Sequence, residues 1–373
     1  MLRNVHIWGF PLIHRRYRGF RSRGELVGTK HILFCVADHF EPRWNDPTAE
    51  QELERVQRWV EHYPKIASAH RDSNGRSPKH TWFYAAEQYN SVCLEKLSKL
   101  CSLGFGEIEL HLHHFDDTPQ GLIEKLERAK QQFSFHGALI THSDPPRYAF
   151  GFIHGDWALN NSRGGLCCGV NNELGILQDA GCYADFTLPS APDESQTRTV
   201  NTIYYASDIP GRSKSHDRGK EVEVDGSESG NLMLIQGPLT LNWRQRKWGV
   251  LPRIENGCVQ HSNPGTPDRI DLWIKQHIHV KGRPEWVFVK VHCHGAQEQD
   301  KDVLLGNEAH AMYCYLEEKY NDGKHYLLHY VTARELYNIV KAAEKGYAGN
   351  PFEFKDYLIP PYKSSDRYHV GER

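Results

Sequence analysis

The sequence predicts a single α/β domain, a barrel of parallel strands with loop insertions. Apolar segments of strand length alternate with segments of helical spacing along most of the chain, which is typical of a parallel sheet. The length of 373 residues is long for one core and short for two well-developed ones. Apolar residues make up 39% of the chain and charged residues 25%, the balance of a globular protein. We divide the chain into a basic arm (1–29), a barrel (30–350) and a tail (351–373).

The elements follow from apolar runs and helix-start signals. The first strand is continuously apolar up to Asp38, as expected for a parallel strand buried on both faces. The predicted strands cover residues 31–38, 80–86, 106–114, 148–155, 182–189, 231–238, 284–295 and 325–331. The predicted helices begin at 46–47, near 88, at 118–119, at 172 and after the capping box at 332–335. A polar, Gly/Ser-rich composition predicts an exposed insertion near 192–230, and residues 239–285 a long loop with a helix.

Charge and cysteine content limit the partners. A formal charge of −2 and an isoelectric point near 6.9 give no large field to attract nucleic acid. No apolar stretch of about 18 residues is present, so no transmembrane helix is expected, although the basic arm leaves peripheral membrane contact open. Nine cysteines without CxxC pairs argue against a secreted disulfide framework and favour the cytoplasm. The oligomeric state stays open.

Histidines at strand ends indicate a metal site. The carboxyl ends of parallel barrel strands lie on one face of the barrel. His111 and His113 are two residues apart on a strand, so they point the same way. With a third ligand from a neighbouring strand they form the open set that zinc or a similar divalent ion uses. His39 is the candidate third ligand, while Asp38 is a general base or a ligand, and Glu41 could replace either as ligand.

A late strand end repeats this arrangement. His292 and His294 lie two residues apart and therefore face the same side. An imidazole opposite the metal could donate a proton to a leaving amine, and His294 is favoured because it lies nearer the open end of the strand. The alternative is that both histidines support the metal ligands through hydrogen bonds.

The segment HGDWALNNSRGG (154–165) resembles a substrate-binding loop. Trp157 could stack on a sugar ring, while Asp156 and Arg163 could hold hydroxyl groups or an oxyanion. His154 and His292 complete the candidate substrate-binding residues. The alternative is a purely structural turn.

In these motifs the chain resembles the polysaccharide deacetylase (NodB-homology) superfamily, within a divergent deacetylase-like branch. The motifs that carry the resemblance are VADH (36–39), GEIELHLHH (106–114), FIHGDWALNNSR (152–163), LQDAGCYADFT (177–187) and VHCHG (291–295). The resemblance covers about residues 31–190 and 286–345. His39 stands where the family has its second aspartate, and the two histidines of the second motif are closer together than in most members.

The resemblance implies a distorted (β/α)7 barrel and a deacetylase mechanism. A zinc or similar ion would be held by His39, His111 and His113, and Asp38 would take the proton of its water. The water oxygen would attack an N-acetyl or O-acetyl carbonyl of a carbohydrate, and His294 would protonate the leaving group. Two alternatives stay open: a glycosidase or other amidase with paired carboxylates such as Asp38 with Glu41 or Asp156, and an inactive carbohydrate-binding protein with tryptophan platforms.

Overall fold

The computed structural model describes residues 4–22 and 28–365 of the chain. In this part of the chain the strands are β1 Lys30–Phe40, β2 His80–Ala85, β3 Gly106–Leu112, β4 Phe150–His154, β5 Cys182–Asp185, β6 Ile203–Ala206, β7 Lys220–Glu221, β8 Leu232–Ile235, β9 Thr240–Lys247, β10 Leu251–Glu255, β11 Trp286–Cys293 and β12 Tyr326–Tyr330. The helices are α1 Val5–Ser22, α2 Ala49–Ala67, α3 Ser91–Ser102, α4 Pro119–Phe135, α5 Glu173–Asp179, α6 Pro267–Lys275, α7 Lys301–Leu305, α8 Asn307–Tyr320 and α9 Ala333–Glu344.

A mostly parallel sheet interleaved with helices forms the centre of the fold, which confirms the predicted α/β class. Within the described residues it has ten strands, paired in the order β11-β1-β2-β3-β4-β5-β8-β6-β7, with β12 also beside β1. The pairs from β11 to β8 along this order are parallel, and β6 runs antiparallel to β8 and β7. Because these strands are parallel, the carboxyl ends of β1, β3 and β11 lie at the same edge of the sheet.

Strand β1 is covered on both faces, as its apolar sequence predicts. One edge pairs with β11, while the other pairs with β12 along residues 30–34 and with β2 along residues 36–40. Its even-numbered apolar residues pack in one cluster with Trp59 of α2, and Leu33, Cys35 and Ala37 pack in another with Leu336 of α9. Because successive side chains alternate, Asp38 falls on the α2 side and His39 on the opposite side.

Helix starts mostly follow their sequence signals. Thr118 caps α4 with Pro119 in its first turn, and Thr332 opens α9 with a complete capping box. Helix α2 differs, because Thr48 rather than Asp46-Pro47 forms its cap, with Gln51 completing a capping box. No helix of the described segments is both long and apolar enough to cross a membrane.

Three sequence expectations outside the strands are corrected. The segment 192–230 is not simply an exposed insertion, because β6 is buried and pairs within the main sheet. The arm contains α1, whose Trp8 and Leu12 are buried beside Leu239, while residues 1–3 and 23–27 lie outside the described part. In the tail, Tyr362 is buried and its hydroxyl donates to Glu109. Apolar side chains in these segments account for each difference.

Candidate metal centre

Five histidines lie together at the ends of β1, β3 and β11. The ring centroid of His39 is 5.2 Å from that of His111, 5.8 Å from His292 and 5.0 Å from His294. The rings of His111 and His113 are 4.6 Å apart. The structure thus brings together, from three strands, the imidazoles that the sequence singled out at the strand ends.

Glu41 supplies a carboxylate to this cluster. His39, Glu41 and His111 each offer a ligand atom, and the three atoms all lie within 4.8 Å of one another. Oε1 of Glu41 is 3.1 Å from Nε2 of His111 and 3.9 Å from Nε2 of His113. Glu41 follows β1 by one residue and shares the face of His39, so it is the carboxylate that the sequence offered as an alternative ligand.

The rings of His111 and His113 are each held by a hydrogen bond at Nδ1, on the side of the ring that faces away from Glu41. Nδ1 of His111 is 2.8 Å from the carbonyl oxygen of Ile153, and Nδ1 of His113 is 2.7 Å from Oε1 of Glu87. These acceptors require a hydrogen on Nδ1, which leaves each Nε2 directed at Glu41. A neutral imidazole nitrogen and a carboxylate are both acceptors, so a cation has to lie between them, either a proton or a metal ion. Such outer carboxylate and carbonyl partners are typical of metal-binding histidines.

Electrostatics favour the metal-binding protonation states of His39 and Glu41. Burial, together with the nearby imidazoles and Lys290, holds the pKa of His39 well below its usual value, so its ring is neutral. Burial disfavours ionisation of Glu41, but the hydrogen bond from His111 and the charge of His113 outweigh it and lower its pKa. A neutral imidazole and an ionised carboxylate are the forms that bind divalent ions.

Gly155 makes room for His113. A Cβ atom at this position would lie 2.2 Å from Cδ2 of the His113 ring and 2.8 Å from its Nε2. Only glycine therefore allows the ring to lie against the start of the 155–163 loop. This packing and the hydrogen bond to Glu87 fix the His113 ring from two sides.

The structure corrects the expectation that Asp38 faces the ion. Oδ2 of Asp38 is 2.9 Å from Nε2 of His80, and Oδ1 accepts a hydrogen bond from the backbone N–H of Gly295 at 2.6 Å. The indole of Trp59 closes the same compartment by donating to the carbonyl of Gly295. The physical reason is strand alternation, which turns Asp38 to the face opposite His39. Asp38 therefore fixes the chain directly after His294.

The predicted substrate loop divides into a buried and a partly exposed half. His154 is fully buried and contacts Glu173 on the face of the sheet that packs against α2, so the expectation that it contacts substrate is corrected. Asp156, Trp157 and Arg163 are half-buried, and the charge of Asp156 acts on His113. Nη1 of Arg163 donates to the backbone carbonyl of Asp156 at 3.4 Å. These three residues lie on the loop that borders the cluster.

The sequence reasoning missed one partner of the cluster, Glu87, and the partner of Asp38, His80. Glu87 is the second residue after β2, so the strand-end reasoning used for the histidines, applied to β2, would have found it. His80 begins β2, and its pairing with Asp38 has no signal in either segment.

In comparisons with known proteins, no family model matches this chain, and no curated protein matches it either. Function therefore has to be inferred from the side chains at the strand ends and from the motifs that they form.

Proposed function

We propose that the chain is a divalent-metal-dependent hydrolase that removes acetyl groups from an N-acetylated or O-acetylated carbohydrate. The observation that carries the proposal is the convergence of His39, Glu41 and His111, whose ligand atoms lie within 4.8 Å of one another. The proposal takes the mostly parallel sheet as the distorted (β/α)7 barrel that the motif resemblance implies.

The ion would be held by His39, Glu41 and His111, and His113 would lie beside these three ligands. Imidazole nitrogen and carboxylate oxygen are the ligands of catalytic zinc, and three protein ligands leave a position open. A bound divalent ion supplies Lewis acidity, which activates water and polarises an acyl carbonyl. The second nitrogens of His111 and His113 are already engaged, which holds both rings in a ligating orientation.

His294 is the group placed to move protons. It is half-buried at the end of β11, whereas His292 is buried behind it. As the oxygen of water bonds to the acyl carbon, the imidazole of His294 takes the proton of that water. As the bond from the acyl carbon to the amine or alkoxide breaks, the same proton passes to the leaving nitrogen or oxygen. One imidazole acts as base and then as acid.

Asp38 is a positioning residue in this proposal. Its carboxylate accepts from the N–H of Gly295, the residue after His294, and is paired with His80. Its direction also weighs against the glycosidase alternative, which needs two carboxylates facing each other across one cleft.

Sugar binding is assigned to the loop that borders the cluster. Trp157 offers an aromatic face for a pyranose ring, and Asp156 and Arg163 offer groups that bind hydroxyls. All three are half-buried, as expected for side chains at the rim of a site. The near-neutral charge of the chain suits a neutral glycan.

Acetate release tests the proposal. Metal-loaded protein is assayed on a panel of N-acetylated and O-acetylated oligosaccharides. We expect His294→Ala to lower kcat by about 100-fold or more with metal content retained. We expect His111→Ala to lose both metal and activity. His279→Ala is the control, because His279 is also half-buried but lies beside Arg15 and Glu285, away from the cluster. Equal acetate release by all three variants, or shortened glycan chains without acetate, would overturn the proposal.

A further inference from the structure

A second group of potential metal ligands lies on the face of the sheet that packs against α2, opposite the face that carries His39. His114 follows the end of β3, His154 ends β4, Cys168 lies in the following loop and Glu173 opens α5. All four are buried, with exposed fractions of 0–2%, and their ligand atoms lie within 4.8 Å of one another. Four residues from separate segments therefore meet in one buried compartment.

Nitrogen and oxygen acceptors face each other in this compartment. Oε1 of Glu173 is 3.0 Å from Nε2 of His114 and 3.4 Å from Nε2 of His154. Nδ1 of His154 is 2.6 Å from the carbonyl oxygen of Gly155, so Nδ1 carries the hydrogen and Nε2 is an acceptor. Among the described residues Nε2 of His154 has no hydrogen-bond partner, although it is fully buried. A buried nitrogen without a partner that faces a carboxylate is unfavourable unless a cation lies between them.

The sulfur of Cys168 completes the group. Its Sγ is 3.6 Å from Oε2 of Glu173. A dication bound to one thiolate, one carboxylate and two neutral imidazoles has no net charge, which makes its burial favourable.

We propose that His114, His154, Cys168 and Glu173 hold a structural zinc ion with four protein ligands and no open position. Two nitrogens, one sulfur and one oxygen are atoms that bind zinc in proteins, and four protein ligands leave no position open. When zinc binds, the Sγ–H bond of Cys168 breaks, the sulfur keeps the electron pair and bonds to zinc, and the proton passes to water. This inference does not depend on the deacetylase proposal.

The zinc ion ties together the segments that carry the first cluster. His114 adjoins His113, and His154 adjoins Gly155, against which the His113 ring packs. Zinc bound to His114 and His154 therefore holds β3 and β4 at a fixed spacing behind the His113 ring. It is a stabilising element of the wall of the metal centre.

Metal content and cobalt spectra of the full-length chain test the inference. Loaded with zinc, the wild-type chain should bind two ions, and His111→Ala and Cys168→Ser one each. Loaded with cobalt, the wild type and His111→Ala should both give a thiolate-to-cobalt charge-transfer band. Cys168→Ser should lose that band, while Cys182→Ser, a change at a buried cysteine outside the group, should keep it.

A cobalt-loaded His111→Ala protein without a thiolate band would overturn the inference, and so would a Cys168→Ser protein that keeps it. If Cys168→Ser does not fold, X-ray absorption of zinc-loaded His111→Ala decides instead. One sulfur at about 2.3 Å from zinc is then expected, and a shell of nitrogen and oxygen alone would refute the site. A protein that releases no acetate but shows the thiolate band would leave this site standing while the deacetylase proposal fails.

Discussion

Glu87 should set the metal affinity of the first cluster without touching the ion. Its carboxylate lies 2.7 Å from Nδ1 of His113 and fixes the direction of Nε2, which faces Glu41. Glu87→Gln keeps an oxygen acceptor and removes the charge. Loss of such an outer partner weakens metal binding by about 10- to 100-fold. Because Glu87 is 33% exposed, solvent screens part of its charge. We therefore expect the lower end of that range, about tenfold or about 1.4 kcal/mol of binding free energy.

Competition with a chelating indicator on metal-stripped protein measures this change. The matched control is Glu95→Gln, since Glu95 is 36% exposed and lies 3.0 Å from Nδ1 of His136, the same pairing at a distant place. Glu95→Gln should bind metal as the wild type does. An affinity of Glu87→Gln within twofold of that control would refute the role of His113 and its partner.

Three further changes probe the same structure. Gly155→Ala places a Cβ 2.2 Å from Cδ2 of His113, where ordinary contact is about 3.5 Å, so the ring must move and metal titration should show weaker binding; unchanged affinity would contradict the packing. Asp38→Asn should lower the free energy of unfolding by about 3 kcal/mol in denaturant titration with metal content unchanged, whereas lost metal at unchanged stability would make Asp38 a ligand. Burial opposes ionisation of Glu335, but the charges of Arg76 and of the buried Arg334 outweigh it and hold its pKa below the usual 4.5. This stabilisation is present above pH 4.5 and is lost as the pH falls below it. Between pH 5 and pH 3 the wild type should therefore lose more unfolding free energy than Glu335→Gln, and parallel pH profiles would contradict the pairing.

Strand periodicity predicts the α/β class and the histidines of the metal centre that lie on β3 and β11. The runs ending at His111 and at His292 alternate, so the sequence predicts which side chains share a face, and the cluster contains them. Strand β1 is apolar at every position from Ile32 to Ala37, which gives no sign of which face holds the site. The family motif therefore implied both His39 and Asp38 at the ion, whereas His39 lies in the cluster and Asp38 is paired with His80.

Contacts between distant segments had no sequence signal. The antiparallel pairing of β6 with β8 joins a short apolar run inside a polar segment to the main sheet, and composition alone pointed to exposure. Cys168 and Glu173 meet His154 only because the loop after β4 folds back over the face of the sheet that packs against α2. Such pairings depend on tertiary packing, which local spacing does not encode.

Anomalous diffraction from crystals grown with zinc is the most direct test of the metal centre. We expect a peak at the zinc edge about 2.0–2.2 Å from ring nitrogens of His39 and His111 and from a carboxylate oxygen of Glu41. A map without a peak between these three side chains, in crystals whose other zinc sites are occupied, would contradict it.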